Sequence, residues 1–274
     1  MTDTTLVNRI TKTISSALEQ GKKVLVAYIV NGDPRPSVTL SAMHTLVDNG
    51  ADIIELGIPF SDPMAEGVVI QRGHERALVH HVSLKSSMLL VEEFRKTNTT
   101  TPVVLMGYAN PVERLGYASF ALEASRVGVD GLLTVDLPPE EATSLTEELK
   151  KVNIESIFLI APTTTDERIK KVAALASGFI YYVSLKGVTG AGNLDIDSVK
   201  EMTGKIKTYT ALPILTGFGI KDAASAKAVG AVSDGVIVGS ALVSVMSDDT
   251  LTDAQICEGL ANTLKPIRQS LDEL

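Results

Sequence analysis

Eight short runs rich in Val, Ile and Leu recur along the chain, separated by stretches with helical patterning. They are Val24–Val30, Asp52–Gly57, Pro102–Gly107, Gly131–Asp136, Ile154–Ile160, Gly178–Ser184, Pro213–Gly217 and Gly235–Gly239. Most are apolar at nearly every position. A strand with one wet face alternates, so these read as strands covered on both faces. Helices are expected between them at Ser37–Asn49, Ser83–Thr97, Tyr117–Val127, Glu140–Val152, Asp166–Ala176, Asp195–Lys207 and Lys221–Val229. Two more, Leu6–Gln20 and Asp253–Leu274, open and close the chain. Asp166 is expected as an N-cap, and Asp222 at another helix start. Strands alternating with helices build a parallel sheet. Eight regular units, with no Gly-rich dinucleotide turn after the first strand, favour closure over an open doubly wound sheet. The expectation is an α/β fold, a single (β/α)8 TIM barrel with an extra N-terminal and a C-terminal helix.

The length agrees. The 274 residues match either about two domains of ~150 residues or one barrel of ~250. No linker rich in Pro, Ser or Gly divides the chain, so residues 1–274 are expected to form one domain. Lys plus Arg is 25 and Asp plus Glu is 33, a net charge of −8. Without a basic run, the chain is not expected to bind nucleic acid. Cys257 is the only cysteine, which rules out an internal disulfide and any Cys-based metal cluster. The four histidines form no metal motif, and no metal is expected. The N-terminus is polar where a signal peptide needs an apolar stretch, and no apolar run approaches the ~18–20 residues of a membrane span. A cytoplasmic protein is expected.

Active-site groups of such a barrel lie at the C-terminal strand ends and on the loops that follow. The segment ADIIELGIPFSDPMAEGVVIQ after the second strand is the most informative. Glu55 lies inside an apolar strand. One reading pairs it with a Lys or Arg on a neighbouring strand. The other makes it a carboxyl whose pKa is raised by burial, poised for acid–base work. The nine-residue loop Pro59–Gly67 adds Asp62, a turn residue before Pro63, and Glu66. That loop is long for this fold and is a candidate lid. GVTGAGNLD, GFGI and VGSALV follow the sixth, seventh and eighth strands. Gly190, Gly219, Gly239 and Ser240 there are candidate phosphate ligands, through backbone N–H groups and one hydroxyl.

Taken together, ELGIPFSDPMAEG, MGYANP, VDLPPEE, APTTT, YYVSLKGVTGAG, GFGI and VGSAL resemble the tryptophan synthase alpha chain family, in that family's order and spacing. The resemblance runs from about Val24 to about Val245. It implies a lyase that cleaves indole-3-glycerol phosphate to indole and glyceraldehyde 3-phosphate by a retro-aldol reaction. It also implies passage of indole to a beta chain in an α2β2 complex. No cofactor is expected here, since PLP belongs to the beta chain. Glu55 matches the family's catalytic glutamate. Glu66 takes the place of its second catalytic acid, usually Asp in an Ala-Asp-Gly-Pro run; here the run is Ala65-Glu66-Gly67-Val68. Tyr181 matches a tyrosine near the substrate, while Asp136 and Thr189 match residues of a loop contact. Tyr28, Leu105, Ile160 and Phe218 are candidate pocket walls. Two other readings are a phosphate-binding barrel isomerase and a non-catalytic, ligand-binding regulatory subunit.

Overall fold

A computed structural model describes residues 7–184, 195–217 and 219–274. Eight parallel strands close in sequential order into a barrel. They are β1 (Val24–Val30), β2 (Ile53–Gly57), β3 (Val103–Gly107), β4 (Gly131–Thr134), β5 (Glu155–Ile160), β6 (Ile180–Val183), β7 (Ile214–Gly217) and β8 (Gly235–Val238). Each expected strand is present, some shortened at an end. Around them run α1 (Arg9–Glu19), α2 (Pro36–Asp48), α3 (Val68–Val79), α4 (Leu84–Arg95), α5 (Ala109–Leu115) and α6 (Tyr117–Val127). These are followed by α7 (Thr143–Lys151), α8 (Asp166–Leu175), α9 (Ile196–Lys207), α10 (Ala223–Gly230), α11 (Ser240–Val245) and α12 (Asp253–Leu271).

Three of these helices, α3, α5 and α11, add to the sequence reading. Gly73 looks like a helix breaker inside α3, yet a Cβ there would crowd Asp33 and Val243. Close packing demands the glycine, at a cost in helix propensity that burial offsets. In α5, Asn110-Pro111 reads as a turn, but Pro111 lies in the first turn, where its missing N–H costs nothing. Asp222 caps α10 in a capping box with Ser225. Asp166 is not a cap: Thr165 takes that place by accepting from the Arg168 N–H, and Asp166 follows in the first turn.

Strand pleating sorts every strand residue to one of two sides. In register across the first three strands, Tyr28, Glu55 and Val104 share one face. That face is the barrel interior, where Tyr28 and Val104 pack with Val26, Leu133, Ile157, Phe179 and Tyr181. The alternate residues, Leu25, Ile54, Leu56 and Leu105 among them, pack outward against the helices. α12 lies across α2 and α10.

The N-terminal end of the barrel is plugged. Ile10 and Ile14 of α1 enter the interior cluster, and a Cβ on Gly131 at the start of β4 would collide with Ile10. Asp130 ties this end together. Its carboxylate accepts from Arg95 (2.6 Å), Arg9 (2.8 Å) and the Val103 N–H (2.8 Å), while its carbonyl accepts from Asn8. The Asp130 side chain is almost wholly buried and Arg95 nearly so. Removing one partner would strand the other's charge, which costs far more than an exposed pair is worth. Asp130→Ala is therefore expected to destabilise the protein by about 3–5 kcal/mol, read as a lowered thermal midpoint. An unchanged midpoint would show that the network does not hold α1 and α4 to the barrel.

Candidate functional site

A cavity of about 450 Å³ opens at the C-terminal end of the barrel, within the usual size for a small-molecule site. Its walls come from successive strand ends: Tyr28, Met106, Leu159, Tyr181, Val183 and Ile237, with Val135 just beyond β4. Glu66, Gly67 and the start of α3 form one part of the rim, and Gly219, Gly239 and Ser240 another. No Lys or Arg lines it among the described residues. Among the described residues, too, no group of three His, Cys, Asp or Glu side chains is placed to hold a metal ion. No helix among them is long and apolar enough to cross a membrane.

Glu55 sits in the interior, with only 1% of its surface exposed. Neither carboxyl oxygen has a hydrogen-bond partner, so the ion-pair reading of this residue is not what the fold provides. Burial without a partner penalises the charged form. Burial first, and the charge of Glu66 second, push the Glu55 pKa up to about 8. Glu66 is itself buried, and that burial raises its pKa to about 7. The two carboxyls repel each other when both ionise. The more deeply buried Glu55 therefore holds its proton to higher pH than Glu66 does.

Two tyrosines close in on the pair. Tyr28 stands beside Glu55 in register, and Tyr181 projects into the interior from β6. Both phenols are held far above their ordinary pKa, by burial first and then by the two glutamates. Each hydroxyl lies over the glycine that ends the next strand. A Cβ at Gly57 would overlap the Tyr28 hydroxyl, and one at Gly217 would overlap that of Tyr181. These strand-end glycines make the close approach of both rings possible.

The loop of residues 58–67 carries Glu66 and is tied down along its length. The Phe60 ring stacks on Tyr108 with centroids 4.6 Å apart, and the Tyr108 hydroxyl accepts from the Ala65 N–H at 3.1 Å. The Glu66 carbonyl accepts from Gln71 of α3 at 2.8 Å. Asp136 accepts from the Ala109 N–H at 2.7 Å, fixing the start of α5 next to Tyr108. Asp62 stays exposed on this loop, where its carboxylate accepts from Ser61 (2.6 Å) and its carbonyl from the Met64 N–H.

Two expected wall residues are elsewhere. Leu105 and Ile160 are fully buried in the layer between barrel and helices, not in the cavity. The pleat decides this: Glu55 and Tyr181 point inward, so Leu105 and Ile160, out of phase with them, point outward. Their neighbours Met106 and Leu159 line the cavity instead. Thr189, Gly190 and Phe218 lie outside the described residues. Sequence reasoning missed Tyr108, although it stands in the MGYANP segment directly after a strand. It also missed His74, which looked like any surface or pairing histidine and is buried against Tyr28 and Phe60.

Because the raised Glu55 pKa is a property of the folded state, it couples stability to pH. Between the ordinary value of 4.5 and about 8, the unfolded chain releases this proton while the folded chain keeps it. Stability is therefore lost as pH rises through that window. Glu55→Gln, which cannot ionise, is expected to melt increasingly above the wild type from about pH 5 to pH 8, the gap levelling off beyond. A gap independent of pH would show that Glu55 folds in its ionised form.

The comparisons with known proteins agree with one another. The family model described as tryptophan synthase alpha chain matches residues 14–271. A tryptophan synthase alpha chain of Marinobacter nauticus is 53% identical over 268 residues, covering 98% of this chain and 99% of the relative. The crystal structure of tryptophan synthase subunit alpha from Legionella pneumophila superposes with a TM-score of 0.91 at 44% identity, covering 98% of this chain and 100% of that one. A structure of tryptophan synthase from M. tuberculosis in its aminoacrylate-bound form aligns with a TM-score of 0.85 at 30% identity, covering 97% and 100%. With a match across nearly its whole length in sequence and in fold, this chain belongs to the tryptophan synthase alpha chain family.

Proposed function

We propose that Glu55 and Glu66 divide the acid–base work of the reaction. As a member of its family the chain is a carbon–carbon lyase of tryptophan biosynthesis, acting on indole-3-glycerol phosphate. The observation that carries the division is the partnerless burial of Glu55 beside the Glu66 carboxylate. Protonated Glu55 delivers its proton to indole C3, which makes an indolenine cation with charge spread to the ring nitrogen. The resulting Glu55 carboxylate then takes the proton from the hydroxyl on the adjacent glycerol carbon. The bond from C3 to that carbon breaks, its electron pair restores the indole, and the hydroxyl carbon becomes the aldehyde of glyceraldehyde 3-phosphate. Glu55 ends as it began, protonated. Glu66 stays ionised and accepts the ring N–H, placing negative charge where positive charge develops. The indole ring is the electron sink, so these steps use no cofactor of this chain; PLP belongs to the beta chain.

Tyr181 and Tyr28 border the ring, and the apolar walls exclude water from it. The phosphate is held at the rim by the backbone N–H groups of Gly219, Gly239 and Ser240 and by the Ser240 hydroxyl, with Gly190 as a further ligand. The Gly219 backbone has φ +76°, a conformation suited to glycine, and α11 begins at Ser240, which lines the cavity. Asp62, Asp136 and Thr189 act at the loops around the mouth. We further read the chain as cytoplasmic and as the alpha half of an α2β2 tetramer. Met64 (78% exposed) and Val68 (55%) stand on the rim next to Glu66, an apolar edge that a beta chain would cover.

Purified chain is expected to release indole from indole-3-glycerol phosphate, faster with added beta chain. No release under either condition would contradict the lyase reading and leave the regulatory subunit as the alternative. Glu55→Gln keeps the shape but cannot give and take a proton, and is expected to lose at least ~100-fold in rate while still binding ligand. Near-normal turnover would refute its role. Glu66→Asp restores the family's usual acid and is expected to leave activity unchanged or higher. A collapse to the level of Glu66→Ala would show that the loop is built around the longer side chain.

A further inference from the structure

We propose that His74 is a positioning residue that holds the Tyr28 hydroxyl as a hydrogen-bond donor to the ligand in the cavity, while tethering the start of the Glu66 loop. His74 lies on the inner face of α3 and is 2% exposed. Its two ring nitrogens face opposite structures. Nδ1 accepts from the Phe60 N–H at 3.1 Å, which ties α3 to the first residues of the loop. Nε2 lies 3.4 Å from the Tyr28 hydroxyl, at the long end for a hydrogen bond. Contacts of this kind in ligand-free sites commonly shorten when ligand binds.

The tautomer follows from the first contact. An Nδ1 that accepts a backbone N–H carries no proton, so the neutral ring carries its proton on Nε2. Burial keeps the ring neutral, lowering its pKa to about 4. Nε2–H therefore donates to the Tyr28 oxygen, and the Tyr28 proton must point elsewhere. Gly57 lies under that hydroxyl and offers no side-chain acceptor. Neither Glu55 oxygen accepts from it. What remains in front of Tyr28 is the cavity it lines. A phenylalanine here would give the same wall; the tyrosine adds a directed donor whose acceptor lone pair is already engaged. Rotation of the phenol proton away from the cavity would bring it against the Nε2–H.

The inference rests on the assignment of this cavity to indole-3-glycerol phosphate, and its test separates the two. Dissociation constants for that compound are measured by calorimetry in the Glu55→Gln protein, where turnover does not interfere. Tyr28→Phe and His74→Asn are each expected to weaken binding roughly fivefold, the loss of one neutral hydrogen bond. The asparagine oxygen can replace Nδ1 for Phe60 but does not reach Tyr28. His74→Gln, whose amide nitrogen can replace Nε2, is expected to bind within twofold of its parent. Combining Tyr28→Phe with His74→Asn is expected to weaken binding no further than either alone, since both remove the same bond. With Glu55 intact, His74→Gln is expected to lower kcat while KM holds, because the loop bearing Glu66 loses its tether. Unchanged binding in Tyr28→Phe, an isosteric variant that keeps the fold, overturns the proposal, as do multiplicative effects of the two substitutions. Cleavage by the wild type is scored separately, and its failure bears on the lyase reading alone.

Discussion

The structure turns on one unfavourable act: a carboxyl group is buried inside the barrel with nothing to bond it. A charge placed there would cost several kcal/mol, a large share of a domain's small net stability. Glu55 avoids that cost by keeping its proton, and the same burial raises its pKa toward the pH at which an acid–base catalyst is most useful. Glu66, on a loop rather than a strand, is less deeply buried and ionises first. Two chemically identical side chains thus hold their protons to different pH because their surroundings differ. The apolar walls, the tyrosines over Gly57 and Gly217, and the tethers on the 58–67 loop all serve to keep that difference in place.

The two ends of the barrel divide stability from function. At the N-terminal end a charge network binds the elements, with Asp130 joining Arg9, Arg95 and the β3 backbone while α1 fills the interior. At the C-terminal end the pairing is withheld from Glu55, and close approaches replace it. The closed, sequential barrel joins the two ends, since each strand runs through both.

Much of this was legible in the residues. Continuous apolar runs announce strands covered on both faces, and a lone glutamate within one of them marks the site. Motif order led to Glu66 across a loop whose path no pattern predicts. Side-chain direction was harder. Leu105 and Ile160 are as apolar as Met106 and Leu159, and composition cannot say which set faces in. Only the register does, and register is a relation between strands distant in sequence. Gly73 and Pro111 hid two helices because their local preferences oppose helix, while tertiary packing at one and first-turn geometry at the other permit it. His74 was unreadable for a similar reason. Its meaning lies in Phe60 and Tyr28, 14 and 46 residues away.

The central claim is that the site works with Glu55 protonated and Glu66 ionised. The most direct measurement is the pH dependence of kcat/KM for cleavage of indole-3-glycerol phosphate. The account predicts a narrow bell, rising as Glu66 ionises near pH 7 and falling as Glu55 loses its proton near pH 8. Glu66→Gln should remove the rising limb and keep a falling one, moved to lower pH because the Glu66 charge no longer raises the Glu55 pKa. A rate that stays flat from about pH 6 to pH 9, or a falling limb that persists in Glu55→Gln, would contradict it.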